Sequence, residues 1–329
     1  MNHDVKFKNH KELKLIFNKI YVKIGSYNKY SIYCMNYLFN KKEDFMNWII
    51  ISIGIMFSSP MMYLFLRKSK DLKKNIRIQN LSVFLIPTIV YFIYNIVSGT
   101  SMIIEFKYFL ILFAAAILFS LLGNIFSLKA LQLTKNPGYS LMIQKSYAIF
   151  TTIMSVFLFG SLITVKDIIS IIIVLVFTSL ILIEKSTQKD DNKIWILYTF
   201  GAFFAFGFLS LTNTYLGKQG LTSTVINFYI CLIVTISLAI QIFTNKIKLS
   251  FDKMSIGVFI GAGIPASIFN FCLIQGYLLA PNPGYISAVN VASIALLTIL
   301  YRVFFKDTLT LKKSIGIVGI LVGLFMLFI

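Results

Sequence analysis

Charge is scarce in this chain. Only 13% of its 329 residues are charged, about half the share of an ordinary soluble domain. With 57% hydrophobic residues, a soluble fold of this length could not hide its apolar surface. Acids are rarest, 12 against 31 basic residues. The resulting net charge of +19 does not point to nucleic acid, because outside the N-terminal tail no basic face with interleaved aromatics occurs. The lysines and arginines lie between apolar blocks, as orienting loop charges of a membrane protein do. Histidine is confined to His3 and His10, so the apolar part has no imidazole for acid–base work or metal ligation. Cys34, Cys231 and Cys272 are scattered, which excludes a disulfide framework and a cysteine metal site. No Gly-x-x-x-x-Gly-Lys-Ser/Thr loop is present, so ATP is not the direct driver of any activity. No cofactor motif is legible, and no cluster of Asp, His or Glu suggests an enzyme.

What the chain has is length of apolar run. After a polar, lysine-rich segment, residues 1–44, with no signal-peptide apolar core, ten stretches of about 20 residues follow, the length that crosses a hydrocarbon layer about 30 Å thick. They lie near 46–66, 80–98, 107–130, 137–159, 163–183, 194–216, 223–244, 254–279, 284–305 and 311–329. The expected fold is an all-α integral membrane protein of ten transmembrane helices. The even-numbered loops hold only Lys107, Lys166 and Lys218, while the odd-numbered ones include Arg67, Lys68, Arg77, Lys129, Lys253, Arg302 and Lys313. The positive-inside rule then places the odd loops in the cytoplasm. The lysines of the tail argue the opposite orientation. The cell membrane is the expected location.

The sequence also repeats. Asn-Pro-Gly-Tyr occurs at 136–139 and at 282–285, a spacing of 146 residues. At that offset apolar blocks overlie apolar blocks without a gap, with Asn124 on Asn270, Thr164 on Thr310 and Lys166 on Lys312. Two units follow, 45–183 and 194–329, joined by a polar linker at 184–193. Each holds five spans, an odd number, so the copies enter the membrane in opposite directions. That is the inverted-repeat architecture of many secondary transporters. Proline suits a first helical turn and Asn the cap before it, so each Asn-Pro-Gly is expected to be a tight turn.

The segments Phe157-Leu-Phe-Gly-Ser-Leu-Ile-Thr-Val-Lys-Asp and Phe304-Phe-Lys-Asp-Thr-Leu-Thr-Leu-Lys-Lys-Ser-Ile-Gly resemble the EamA-like domain of the drug/metabolite transporter superfamily. There a span ends in Gly-Glu, then Leu-Thr, then a polar residue and Ile-Gly. Thr164 and Thr310 match the threonine, Ile315-Gly316 the helix opening, and Pro-Gly at 137–138 and 283–284 the turn before the fourth span. Ser161 and Asp307 stand where the family has glutamate, and Lys306 where it has glycine. The resemblance covers residues 46–329 and implies a ten-span inverted-repeat exporter or exchanger.

Polar groups inside a bilayer are costly and mark functional candidates. Lys145 lies eight residues into the fourth span, about 12 Å below the surface, with no acid near that depth in spans three or four. It either binds an anionic ligand or snorkels to the nearer surface. Ser140, Gln144, Tyr147 and Thr151 share one stripe of that span, and Ser287, Asn290, Thr298 and Tyr301 a similar stripe of the ninth. Across the repeat, Asn124 matches Asn270, Lys129 matches Gln275, and Gln144 matches Asn290. These eight residues (Lys145, Gln144, Tyr147, Asn124, Lys129, Asn270, Gln275 and Asn290) are expected to line a shared interior, although single amides also serve as interhelical hydrogen bonds. Pro60 and Pro87 are expected to kink or locally open their helices, Tyr91, Tyr94 and Asn95 to reach the cavity, and Trp48 and Trp195 to sit in the interfacial aromatic belt. The function so indicated is transport of a small polar metabolite, with an anionic group if Lys145 binds it, by a monomer or homodimer, without nucleic acid. The alternatives are a lipid-handling or enzymatic membrane protein and a repeat protein that transports nothing.

Overall fold

The computed structural model describes residues 29–71, 76–134, 137–183, 193–247 and 253–329. The first 28 residues of the expected tail, the linker apart from Lys193, and Asn136 lie outside the described residues. Met1–Met46 and Asn47–Ile329 form separate compact units, and the following concerns the second.

Every described regular element is helical. The helices are α1 (Lys29–Asp71), α2 (Ile76–Val97), α3 (Phe106–Leu133), α4 (Pro137–Phe159), α5 (Val165–Leu182), α6 (Ile194–Lys218), α7 (Ser223–Thr244), α8 (Lys253–Leu279), α9 (Pro283–Phe305) and α10 (Leu311–Phe328). Each contains a stretch long and apolar enough to cross a membrane; in α1 it is Asn47–Ser69. The protein is an integral multi-pass membrane protein of the all-helical class. α1 begins ahead of the first expected span, since its backbone is already helical at Lys29.

Local chemistry sets the ends. Thr164 caps α5 by accepting from the Asp167 N–H, and the Asp167 carboxylate accepts from the Thr164 N–H in return, a reciprocal box satisfying two otherwise orphaned donors. Thr310 caps α10 by accepting from Lys313 N–H. Asn282 caps α9 with Pro283 in the first turn, the expected tight turn. α4 and α9 end at equivalent left-handed residues, Gly160 (φ +63°) and Lys306 (φ +58°).

Two helices are irregular inside. α3 passes through a π-helical segment, Ala115–Leu121. α4 is interrupted at Ser146, whose N–H is shared between the carbonyls of Met142 (3.1 Å) and Ile143 (3.2 Å) and whose hydroxyl donates to Met142 (3.0 Å). Pro60 and Pro87, expected to kink or locally open their helices, lie inside helices that run unbroken past them.

α2 packs on α7 and α8, α3 on α6 and α7, α4 on α6 and α9, and α5 on α9 and α10. α1 meets α8, where Gly54 lies against Cys272 and Gly261 against the Phe65 ring. The first half of α9 is the centre: every residue from Pro283 to Ala295 is buried, clustered with Ile171, Val174, Ile320 and Leu324. Trp48 belongs to this cluster instead of the expected interfacial belt. It is 1% exposed and packs on Phe328 (5.1 Å) and Tyr285 (6.3 Å), because these rings cover it from α10 and α9. Exposed apolar residues such as Phe157, Phe243 and Val318 face outward, as lipid contact requires.

Candidate functional site

The site begins at the interruption in α4. It separates Lys145 from Tyr147 without proline or glycine, and both residues lie at the middle of the bundle. Tyr63 of α1 and Lys145 lie deep in the bundle. Tyr63 nevertheless keeps 40% of its surface accessible, and Lys145 stays half-buried. Both therefore present surface to space within the bundle. The ion pairs among the described residues are Arg67–Asp307 and Lys107–Glu105, at helix ends. Lys145 has no hydrogen-bond or ion-pair partner among them, so its charge is available to a solute.

Buried hydroxyls and an amide cluster around Tyr147. Asn290 of α9 donates to the Tyr147 hydroxyl at 3.1 Å, and that hydroxyl also faces Ser287 and Tyr277. Tyr277 of α8 in turn reaches Ser210 of α6, whose hydroxyl donates to Thr151 at 3.1 Å. The Phe206 ring stands against Tyr147 at 6.3 Å. Ser293 of α9 donates to Ser59 of α1 at 3.2 Å. Five helices thus turn polar atoms toward one interior.

The expected site residues divide. Tyr147 and Asn290 come together, with Lys145 two residues from Tyr147 along α4. Gln144 turns to other partners: its carbonyl accepts from Ser127 (2.7 Å) and its amide donates to Ser140 (3.0 Å), which bonds Thr199. Gln144 thereby ties α3, α4 and α6 to one another. Asn124 donates to Ser120 in its own helix, and Asn270 accepts from Asn227 through its backbone carbonyl. Lys129 is exposed, with its amine 5.3 Å from the Tyr198 ring. Gln275 accepts from Ser223 at 2.8 Å and borders a different cavity of about 490 Å³ among the ends of α1, α2, α7 and α8, with Tyr94, Thr100, Thr222, Thr224 and Phe271. Of the α2 residues expected at the interior, Tyr91 donates to the Ser267 carbonyl at 2.5 Å, and Asn95 is fully buried with no side-chain partner among the described residues.

Tyr63 and Tyr277 were missed because each lies outside the two stripes of α4 and α9. The available signal was a tyrosine well inside an apolar span, a costly placement without a partner.

No protein-family model matches the chain, and no curated protein does. Chains of solved structures do match, 29 in number. In one, a crystal structure of a protein, 97% of that chain superposes on 85% of this one with a TM-score of 0.71 and 13% identity. At that identity the likeness concerns the fold alone.

Proposed function

We propose that this protein is a secondary transporter that carries a small polar metabolite with an anionic group by alternating access. The observation that carries the reading is the amine of Lys145, deep in the bundle with no counter-ion among the described residues, two residues along α4 from Tyr147, whose hydroxyl accepts from Asn290. A buried cation without a counter-ion is costly, and a carboxylate or phosphate arriving in the cavity offsets that cost. Hydroxyl and amide groups around it hydrogen-bond the rest of the solute.

The same reading makes the two five-helix units an inverted repeat of the EamA-like kind. Its support is the pairing of equivalent helices, α2 with α7, α4 with α9 and α5 with α10. The hydroxyls of Thr88 and Thr235, at nearly equivalent positions, lie 3.3 Å apart, as residues near a pseudo-two-fold axis should. The α3–α6 contact recurs as α8–α1. Rocking of one unit against the other then exposes the cavity alternately.

The test is uptake into proteoliposomes of a panel of carboxylates and phosphate esters. Lys145→Met should lower flux by roughly tenfold to a hundredfold, the worth of a charged hydrogen bond, while the protein still inserts. Full flux in that variant removes Lys145 from the site. No flux by the unaltered chain across the panel would favour a lipid-handling, enzymatic or non-transporting protein.

A further inference from the structure

We propose that the α8–α9 turn is a gate: Asn282, Gly284 and Tyr285 latch α9 to α4 and α5, shutting the face that carries the even-numbered loops. This rests on the transporter reading and supplies its conformational state.

The latch is built from paired polar groups. The Asn282 carbonyl oxygen accepts from Ser155 (2.9 Å) and from Gly284 N–H (2.8 Å), and its amide donates to the Thr152 carbonyl (3.2 Å). Tyr285 donates to the Asp167 carboxylate (2.6 Å) and reaches the Leu162 carbonyl (3.3 Å). Thr164 gives Asp167 two further donors. The bonds of Asn282 to Ser155 and Thr152 and of Tyr285 to Asp167 and Leu162 cross from one five-helix unit to the other. Gly284 lies so close to Thr152 that a Cβ would overlap the Thr152 Oγ1, so the backbones of α9 and α4 touch here. Ser287 and Asn290, which border the cavity, lie one and two turns below.

Among the described residues the opposite face is held by the Ser140–Thr199 hydroxyl pair and, at its rim, by exposed contacts: Arg67 with Asp307, the Tyr301 hydroxyl with the Tyr63 carbonyl, and Lys312 with the Ile183 carbonyl. Gly138, the first-copy counterpart of Gly284, sits against the Leu182 carbonyl of its own unit, and Tyr139 is 48% exposed where Tyr285 is 4%. Tyr63 and Lys145, which keep accessible surface, lie on the α1 and α4 halves nearest that face. The structure is therefore shut at the even loops by buried bonds, while the odd face is held mostly at its exposed rim. A latch of hydrogen bonds suits a gate, because each group it releases can be taken up by water when the face opens.

The test is reciprocal labelling by a membrane-impermeant maleimide in a chain whose three cysteines have been replaced. Ser287→Cys reports access beneath the latch, and Tyr63→Cys reports access from the odd-loop side. Tyr285→Phe removes one hydroxyl, and Asn282→Ala removes the centre of the network. Either should raise labelling at 287 from the even-loop side about tenfold, the population shift expected for a lost charged hydrogen bond, and lower labelling at 63. Unchanged rates at both sites, or a rise at both together, would show a structural brace and overturn the gate. Should Asn282→Ala fail to fold, Tyr285→Phe decides alone. Labelling needs no substrate: reciprocal labelling without flux would leave the gate standing and remove the transport reading, whereas flux without reciprocity would do the opposite.

Discussion

The two Pro-Gly-Tyr turns share their residues but differ in their surroundings. Pro283–Tyr285 is buried at the centre, with Gly284 on Thr152 and Tyr285 on Asp167. Pro137–Tyr139 begins α4 at the periphery, with Gly138 on Leu182 and Tyr139 half exposed. The positions facing them also differ: Asp167, which receives Tyr285, has Lys313 as its counterpart 146 residues on. A repeated turn therefore repeats its local geometry, a Pro-Gly start of a helix, without repeating its contacts. Contacts depend on what the other unit presents, and there the copies have diverged.

That divergence can be probed from its strongest expression downward. Lys145 corresponds to Val291, and Val291 is fully buried in packed core. Val291→Lys should cost about 3–5 kcal/mol, the scale of an uncompensated buried charge, and thermal unfolding in detergent should show a large drop. An unshifted midpoint would mean that position 291 also faces open space, and that the two copies are more alike than their packing indicates. Tyr285→Phe, measured the same way, should cost about 1–2 kcal/mol, a buried hydrogen bond between membrane helices. Tyr139→Phe should stay within about 0.5 kcal/mol, as exposed substitutions do. Equal effects would erase the distinction between the turns.

Gly160 and Lys306 share the left-handed conformation, which disfavours any residue with a Cβ by about 1–2 kcal/mol. Lys306→Gly should therefore stabilise by up to about 1 kcal/mol, and Gly160→Ala should destabilise by a similar ~1 kcal/mol. The smallest effect concerns Asp307, which accepts from Arg67 at 2.6 and 2.8 Å while the guanidinium also covers the Tyr301 and Phe305 rings. Arg67 holds the Asp307 carboxyl below its ordinary value of 3.8. A depressed carboxylate contributes its stability above that ordinary value and loses it as pH falls through the folded one. The contribution of so exposed a pair is under about 1 kcal/mol. Asp307→Asn should remove that part of the acid loss below about pH 4 and leave neutral-pH stability nearly unchanged, read from unfolding midpoints across pH 3–7.

Much of the helical framework was legible before any coordinates. Spans expected at 137–159 and 223–244 match α4 and α7 at both ends, because an apolar run bounded by cap residues leaves the backbone no other way to satisfy itself in a bilayer. The interruption at Ser146 was not legible, since serine bends a helix only where its hydroxyl turns back to the i−4 carbonyl. The polar stripe of α4 was read correctly as a stripe, yet its members serve different partners: Ser140 and Thr151 bond to α6, Tyr147 to α9. Periodicity gives the face of a helix and not the neighbour that faces it. Trp48 was misplaced for the same reason. Its amphipathic ring suits an interface, but Tyr285 and Phe328 were already there to bury it.

By itself, then, the sequence determined a membrane protein of ten spans, their ends, and the offset that relates two five-span units. These follow from local properties: apolar length, caps and the repeat of residues along the chain. Only the tertiary structure decided that Tyr147 and Asn290 meet with Tyr63 and Tyr277 nearby, that Lys129 and Gln275 lie elsewhere, and that the second turn is bonded to α4 and α5. Those depend on contacts between residues more than a hundred positions apart, and the pattern along a single helix carries no information about which distant helix will pack against it.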